Sequence, residues 1–217
     1  MTFSILGRCE RTGELGIAIT SSSLCVASRC AWPKGGVGVV ATQNLTDPGL
    51  GPIGLELLQQ GRSAQQVIDM LVAGDPGRDY RQLQVMDAQG NVVQHTGAKA
   101  LPTVASAIGN QCAAAGNLLA NNGVPAAMIK AFSRDASLPL AFRLLRALHA
   151  GLEQGGEVRE LYSSGIQVCN DLNWPIVDLR IDGQPRPLDA LENLWSEYQP
   201  KMAGYISRAS APHLTVV

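Results

Sequence analysis

Histidine, aromatic side chains and charge are all scarce in this chain. Its 217 residues include only three histidines, His95, His149 and His213, so a His-rich metal site would have to be assembled from distant parts of the fold. Aromatic residues make up 5%, which favours tight turns and small-residue packing over an aromatic-lined cofactor pocket. Charged residues are 16%, and 17 Lys plus Arg nearly cancel 18 Asp plus Glu to leave a net charge of −1. Without a basic block there is little attraction for phosphate, so neither nucleic acid nor an anionic membrane surface is an expected partner. No apolar run approaches the roughly 18 residues of a membrane span, and no basic segment followed by a continuous apolar run opens the chain as a secretory signal would. A cytoplasmic location is the expectation. The five cysteines (Cys9, Cys25, Cys30, Cys112, Cys169) are odd in number and widely spaced, which suits small core residues rather than a disulfide framework or a CxxC pair. The GxSxG elbow, the Walker loop, a GxGxxG after a strand and HExxH are all missing. The chemistry to be expected therefore needs no metal and no cofactor.

What is present is a chain that is 46% hydrophobic with 23 glycines and 12 prolines, enough for one globular domain over residues 1–217. Strands are expected at Thr2–Cys9 and Leu15–Thr20, joined by the turn Glu10–Gly13, and at Gly36–Gln43 after a mixed segment. Gly36 and Gly38 would let a neighbouring backbone or a ligand come close. Ile53, Leu55, Leu57 and Leu58 before Gly61, and Val67, Ile68, Leu71 and Val72 after a Ser63–Gln66 capping box, read as two helices. A second strand cluster covers Gln82–Asp87, Asn91–His95, Val104–Ile108 and Gln111–Ala115, followed by helices at Val124–Phe132 and Leu138–Leu152. Strands at Ser163–Cys169 and Ile176–Ile181 and a helix at Leu188–Met202 close the pattern, with 204–217 an irregular tail. Blocks of strands between blocks of helices argue against regular βαβ crossovers. They fit two packed antiparallel sheets with helix pairs outside, or a plain α+β domain.

The second residue carries the most chemical information. A small residue after the initiator Met permits Met1 removal, which would leave Thr2 as the free N-terminus at the head of a strand. Its α-amine, with a pKa of roughly 7.7–8.0, could then take the Oγ1 proton as a built-in base. Thr2 also reads simply as a β-branched residue beginning a strand.

The segments Thr2-Phe-Ser-Ile5, Thr12–Ala18, Gly36–Gln43, Gly51-Pro-Ile-Gly-Leu55, Asp75-Pro-Gly-Arg78, Arg81-Gln82, His95-Thr-Gly97 and Gly116-Asn117 together resemble a bacterial family designated by its domain of unknown function, DUF1028. They run in order from residue 2 to about 120. That family is regarded as Ntn-hydrolase-like, so the resemblance implies a four-layer αββα sandwich, α+β in class, related to proteasome subunits and to N-terminal-nucleophile amidohydrolases. After Leu152 the likeness weakens. Where members carry a glycine pair followed by Asp, Arg-Gly and Gln-Ser-Ala, this chain has Gly155-Gly-Glu-Val-Arg-Glu-Leu-Tyr-Ser-Ser164.

With Thr2 as nucleophile, Gln43 and Asn117 are candidates to surround the oxyanion, with Asn44 beside Gln43; each also reads as a strand-edge amide satisfying local backbone. Ser21 and Ser23 could hydrogen-bond the Thr2 amine, or serve as turn residues. Arg29 or Lys34 could tune the nucleophile, and Arg78 could clamp a substrate carboxylate. His95 could act as general acid or base, or be a hydrogen-bonded structural histidine. The leading expectation is hydrolysis of a small linear or cyclic amide or a ureide-like compound. Its rivals are a non-catalytic binding or scaffold protein on the same sandwich, and a deaminase or isomerase using His95. A homo-oligomer is expected, paired through the apolar Leu138–Leu148 stripe unless that stripe is intramolecular core.

Overall fold

In the computed structural model, which describes residues 2–214, the chain opens as an antiparallel hairpin. Strands β1 (Thr2–Arg8) and β2 (Leu15–Ser21) stay in register from Arg8↔Leu15 beside the turn to Thr2↔Ser21 at the far end. The mixed segment that follows resolves into a single-turn helix α1 (Val26–Cys30) and a short strand β3 (Ala31–Lys34). Pro33 is tolerated there because β3 is an edge strand, paired only with β4 (Gly38–Asn44). Gly38 shows the expected close approach. A Cβ on it would sit 2.4 Å from the Met86 carbonyl oxygen, and its φ of 156° lies outside the range most side chains accept.

Helices α2 (Leu50–Gln59) and α3 (Ala64–Gly74) come next, with Gly61 just past the end of α2 at φ 84°. The capping box forms as the sequence predicts: Ser63 Oγ accepts the Gln66 N–H at 3.3 Å, and Gln66 Oε1 accepts the Ser63 N–H at 3.0 Å. Ser63→Ala should therefore cost about 1 kcal/mol, read as a lower denaturant midpoint at unchanged slope.

Strands β5 (Arg81–Asp87), β6 (Val92–Thr96), β7 (Ala105–Gly109) and β8 (Cys112–Asn117) precede helices α4 (Val124–Phe132) and α5 (Leu140–Glu153). Strands β9 (Ser163–Cys169) and β10 (Pro175–Ile181) and helix α6 (Pro187–Ser210) complete the fold. Helix α6 corrects one expectation, since residues 204–210 are helical rather than irregular, and a 3-10 turn follows at Pro212–Leu214. The apolar stripe supplies the reason: Leu194, Tyr198, Met202 and Ile206 recur every fourth residue and all pack on the core. The remaining tail, 215–217, lies outside the described residues.

One sheet has six strands in the order β10-β9-β2-β1-β8-β7 and the other four in the order β3-β4-β5-β6, with every named pairing antiparallel. Helices α4, α5 and α6 cover the outer face of the larger sheet, around Phe3, Ile5, Met128, Phe132, Leu144 and Leu148. Helices α2 and α3 cover the smaller one, around Val40, Leu58, Val67, Leu71, Leu83 and Val85. The result is a four-layer αββα sandwich of α+β class. Leu140, Leu144, Leu145 and Leu148 are buried in this core, so the stripe considered as an oligomer face is intramolecular.

The layer between the sheets is divided along its length. Leu6, Leu15, Ile17, Ile19, Val39, Ala41 and Met86 fill one end with apolar side chains. Alternation along the same strands then brings Ser4 and Thr2 from β1, Ser21 from β2, Gln43 from β4, Gln82 and Gln84 from β5 and Asn117 from β8 to the inner face, all of them buried. A polar end inside an otherwise apolar sandwich is costly unless its groups bond one another, and that is where the candidate site lies.

Candidate active site

Thr2 is the first residue of β1, lying between Ser21 of β2 and Asn117 of β8 as its two cross-strand partners. Residues paired in this way place their side chains on one face, about 4.5–5.5 Å apart at Cβ. Thr2 Oγ1 donates to Ser21 Oγ at 3.3 Å. Ser21 Oγ also accepts the Ser23 N–H at 3.0 Å and shares a 2.8 Å hydroxyl contact with Ser23 Oγ. Arg29 Nη2 donates to Ser23 Oγ at 3.1 Å and to the Leu24 carbonyl at 2.7 Å. A guanidinium is thereby joined to the Thr2 hydroxyl through two serines. Of the two tuning cations considered, Arg29 is in place and Lys34 is not, its Nζ being committed to Gln59 Oε1 at 2.7 Å.

Below Thr2 runs a chain of amides with one sense of direction. Gln94 Nε2 donates to Gln84 Oε1 (2.7 Å), Gln84 Nε2 to Ser4 Oγ (2.9 Å), Ser4 Oγ to Gln43 Oε1 (2.7 Å) and Gln43 Nε2 to Gln82 Oε1 (2.8 Å). Gln82 Nε2 ends it on the Gly116 carbonyl at 3.1 Å, and Gln94 Nε2 also reaches the Ala114 carbonyl at 3.0 Å. Backbone carbonyls accept only, so these two contacts fix which end of each amide is nitrogen. Asn117 Nδ2 donates to the same Gln82 Oε1 at 3.1 Å, which turns Asn117 Oδ1 the other way, where it has no partner among the described residues.

This geometry corrects the oxyanion assignment of Gln43. Gln43 is wholly buried with both ends of its amide engaged, so it supports the site from below instead of touching a reacting group. Asn117 does stand beside Thr2, with one N–H of its Nδ2 given to Gln82 and its Oδ1 without a partner among the described residues. Asn44 is a loop clamp in the left-handed region at φ 73°, donating to the Tyr80 carbonyl at 2.5 Å and accepting the Leu101 N–H at 3.2 Å. Arg78 is exposed in a 3-10 turn, and its carbonyl lies 3.2 Å from His95 Nε2. His95 pairs across β5 with Leu83, which belongs to the outer helix-covered core, so His95 faces away from the inter-sheet layer. Neither Arg78 nor His95 is brought to Thr2.

Asp75 and Arg81 form a 2.8 Å ion pair, and Arg81 Nη1 reaches the Leu45 carbonyl at 2.6 Å, tying the loop after β4 to the start of β5. Arg81, by hydrogen bond foremost, and the Gly77 N–H overcome burial to hold the Asp75 carboxyl below its ordinary range. That stability is present above the unfolded carboxyl pKa and lost as pH falls through the folded one.

Glu157 is the residue that sequence reasoning passed over. It is 7% exposed, its Oε2 accepts the Ser22 N–H at 3.1 Å, and its Oε1 is buried without a partner among the described residues. Its segment bridges antiparallel to Leu119 and donates from the Val158 N–H to the Leu118 carbonyl at 3.0 Å, just beyond Asn117. Burial pushes its carboxyl up, against the Ser22 contact and the positive charges of the N-terminus and Arg159, which lower it. The native state therefore holds the proton more tightly than the unfolded chain, and stability falls as pH rises between the two pKa values. Glu157→Gln removes that dependence, so its melting temperature should gain on the unsubstituted chain as pH rises from about 4 to about 8, and a constant gap would contradict the reading. The signal available in the sequence was the acidic residue kept after the Gly155–Gly156 pair.

Three of the five thiols are weakened as nucleophiles by burial. Cys112 and Cys169 are pushed by burial to about 11, and Cys30 is also raised by burial. No group of three His, Cys, Asp or Glu suited to a metal ion occurs among the described residues. No helix among them is long and apolar enough to cross a membrane. An open groove of about 1330 Å³ lies on the outer helical layer around Arg146, His149 and Glu192 and includes none of Thr2, Ser21 or Asn117.

A sandwich of this topology, with a threonine heading an inner strand beside a hydroxyl relay, defines an αββα protein with its polar centre at one end of the inter-sheet layer. The chain belongs to the family of unknown function DUF1028, whose pattern matches residues 2–191. A crystal structure of a member from Silicibacter pomeroyi is 33% identical, with a TM-score of 0.85 over 91% of this chain and 86% of that one. Anbu (ancestral beta-subunit) from Yersinia bercovieri is 13% identical with a TM-score of 0.39, covering 94% of this chain and 97% of that one. An Anbu mutant from Hyphomicrobium sp. strain MC1 is 12% identical with a TM-score of 0.44, over 94% and 97%. No curated protein matches the chain.

Proposed function

We propose that this protein is an amidohydrolase of small linear or cyclic amides or ureide-like compounds, with Thr2 as an N-terminal nucleophile once Met1 is removed. The observation that carries the reading is the Thr2 hydroxyl at the polar end of the inter-sheet layer, hydrogen-bonded to Ser21 and through Ser23 to Arg29. The resemblance of the family to N-terminal-nucleophile hydrolases agrees with it. In the reaction the freed α-amine takes the Oγ1 proton as Oγ1 bonds to the substrate carbonyl carbon, whose π electrons pass to oxygen. The Arg29 charge, relayed through the serines, favours the developing anion on Thr2. Collapse of the tetrahedral adduct breaks the carbon–nitrogen bond, and the ammonium returns its proton to the departing nitrogen. Water then attacks the ester on Thr2, giving up a proton to the same amine, and Oγ1 leaves to regain it.

The test is the intact mass of the protein from its own host, followed by an amide and ureide screen. Loss of Met1 is expected, and turnover should vanish when a bulky second residue is inserted to block processing. Turnover by a chain that keeps Met1 would defeat the mechanism. A binding protein without acyl transfer is the second reading, favoured by the divergence of residues 157–164 from the family pattern.

A further inference from the structure

Two buried acceptors flank Thr2 and bond nothing among the described residues: Asn117 Oδ1 on the β8 side and Glu157 Oε1, whose carboxylate is anchored at Ser22 just beyond the end of β2. We propose that this pair forms a binding subsite for the terminal NH2 group of a carbamoyl, ureido or guanidino ligand. The inference rests on the hydrolase reading for which bond is broken, but not for the binding itself.

Buried polar atoms in folded proteins are almost always paired, so two orphans beside one hydroxyl mark a place where a partner is missing. Chance orientation of the Asn117 amide does not account for its orphan. Gln82 Nε2 is held against the Gly116 carbonyl, so Gln82 Oε1 must face Asn117 and must receive its NH2. The free end is then oxygen by necessity. Glu157 is held at the same end of β1, since its Oε2 accepts the Ser22 N–H next to Ser21 and the Val158 N–H donates to the Leu118 carbonyl next to Asn117, which leaves Oε1 buried and unpaired there.

An amide oxygen and a carboxylate oxygen both accept. Together they repel carboxylates, phosphates and esters presented through oxygen, and they complement a group with two N–H bonds on one nitrogen or on neighbouring nitrogens. Arg29 sits two hydroxyls away and is bonded to Ser23 and Leu24, so it does not fill this role. A neutral urea and a cationic guanidinium share the required NH2, and an ionised Glu157 would favour the cation. The α-ammonium that processing would free on residue 2 is a competing donor. Comparing chains with and without Met1 measures that competition directly.

The experiment titrates the full-length Thr2→Ala chain, which cannot acylate, with N-methylurea, methylguanidinium and methyl acetate, the last similar in shape to N-methylurea but lacking N–H. Binding is followed by the NMR shifts of the Asn117 side-chain amide and the Ser22 backbone amide. At least one N–H probe should bind about tenfold or more tighter than methyl acetate, and Glu157→Gln should weaken methylguanidinium by about tenfold. Preference for the urea or for the guanidinium tells a neutral ligand from a cationic one. Equal binding of methyl acetate, no binding by any probe in either processing form, or N–H probe affinities unchanged in Glu157→Gln would overturn the proposal. The comparison with methyl acetate needs no change at Glu157 and stands even if that variant misfolds. Amide turnover by Thr2→Ala would instead sink the hydrolase reading and leave the subsite untouched.

Discussion

Thr2→Ala should abolish amide turnover while leaving the protein folded. Alanine at position 2 still permits Met1 removal, so the variant keeps the free α-amine and lacks only Oγ1 and a methyl group. Structurally the loss is small. The Thr2 to Ser21 contact is long at 3.3 Å, and Ser21 Oγ keeps both its Ser23 contacts, so no buried group is orphaned. The expected cost is about 0.5–1.5 kcal/mol of stability. Removing a nucleophile, by contrast, costs on the order of 10³-fold or more in rate, equivalent to about 4 kcal/mol of transition-state stabilisation. The two scales separate a catalytic Thr2 from a structural one. Thr2→Ser should keep most of the activity, and Ser21→Ala should lose part of it by freeing the hydroxyl from its relay. Turnover retained in Thr2→Ala with an unchanged melting temperature would remove Thr2 from the chemistry.

Local pattern makes much of this fold legible in the sequence. The hairpin of β1 and β2, the Gly36–Gln43 strand and the Ser63–Gln66 capping box follow from period-two and period-3.6 patterns and from turn residues, whereas those patterns leave a plain α+β domain open and the four-layer arrangement is what the family resemblance implies. Strand β3 was hidden because Ala31-Trp-Pro-Lys34 is four residues long and contains proline, a combination that only an edge position allows. Within the site, alternation places Thr2, Ser4, Gln43 and Asn117 on the inner face, but it says nothing about which end of an amide points where. That depends on contacts such as Gln82 to Gly116, 34 residues apart in sequence. The role of Gln43 and the polarity of Asn117 were therefore not legible. His95 misled for a related reason: it lies one residue from Gln94, whose side chain enters the network, and a one-residue step along a strand moves a side chain to the opposite face. Glu157 was missed because its neighbourhood is made by an isolated bridge to Leu119, a contact with no periodic signature.

Gln82 should prove the most sensitive of the network residues to truncation. Its Oε1 receives Gln43 Nε2 and Asn117 Nδ2, and its Nε2 donates to the Gly116 carbonyl and, at 3.4 Å, to Thr96 Oγ1. Gln82→Ala leaves two buried amide nitrogens and a buried carbonyl without these partners and opens a space between the sheets. Each abandoned group costs about 1–3 kcal/mol, so a loss of roughly 3–9 kcal/mol is expected in the absence of a replacing water. That exceeds the expected effect of Ser63→Ala several-fold, although both changes remove one polar side chain. Gln82→Glu separates packing from polarity. It retains the volume and both accepting contacts, but sets a carboxylate oxygen against the Gly116 carbonyl, where a donor is required. A carboxyl there should stay protonated well above its usual range, because only the acid form can donate to Gly116 and burial disfavours the anion. Gln82→Glu should therefore approach the unsubstituted stability at low pH and lose it as pH rises, whereas Gln82→Ala should be destabilised at every pH. Chemical denaturation of both variants across that range measures the difference. Equal, pH-independent losses would mean that the glutamine fills space without directing the amides above it, and the fixed orientation of Asn117 beside Thr2 would lose its basis.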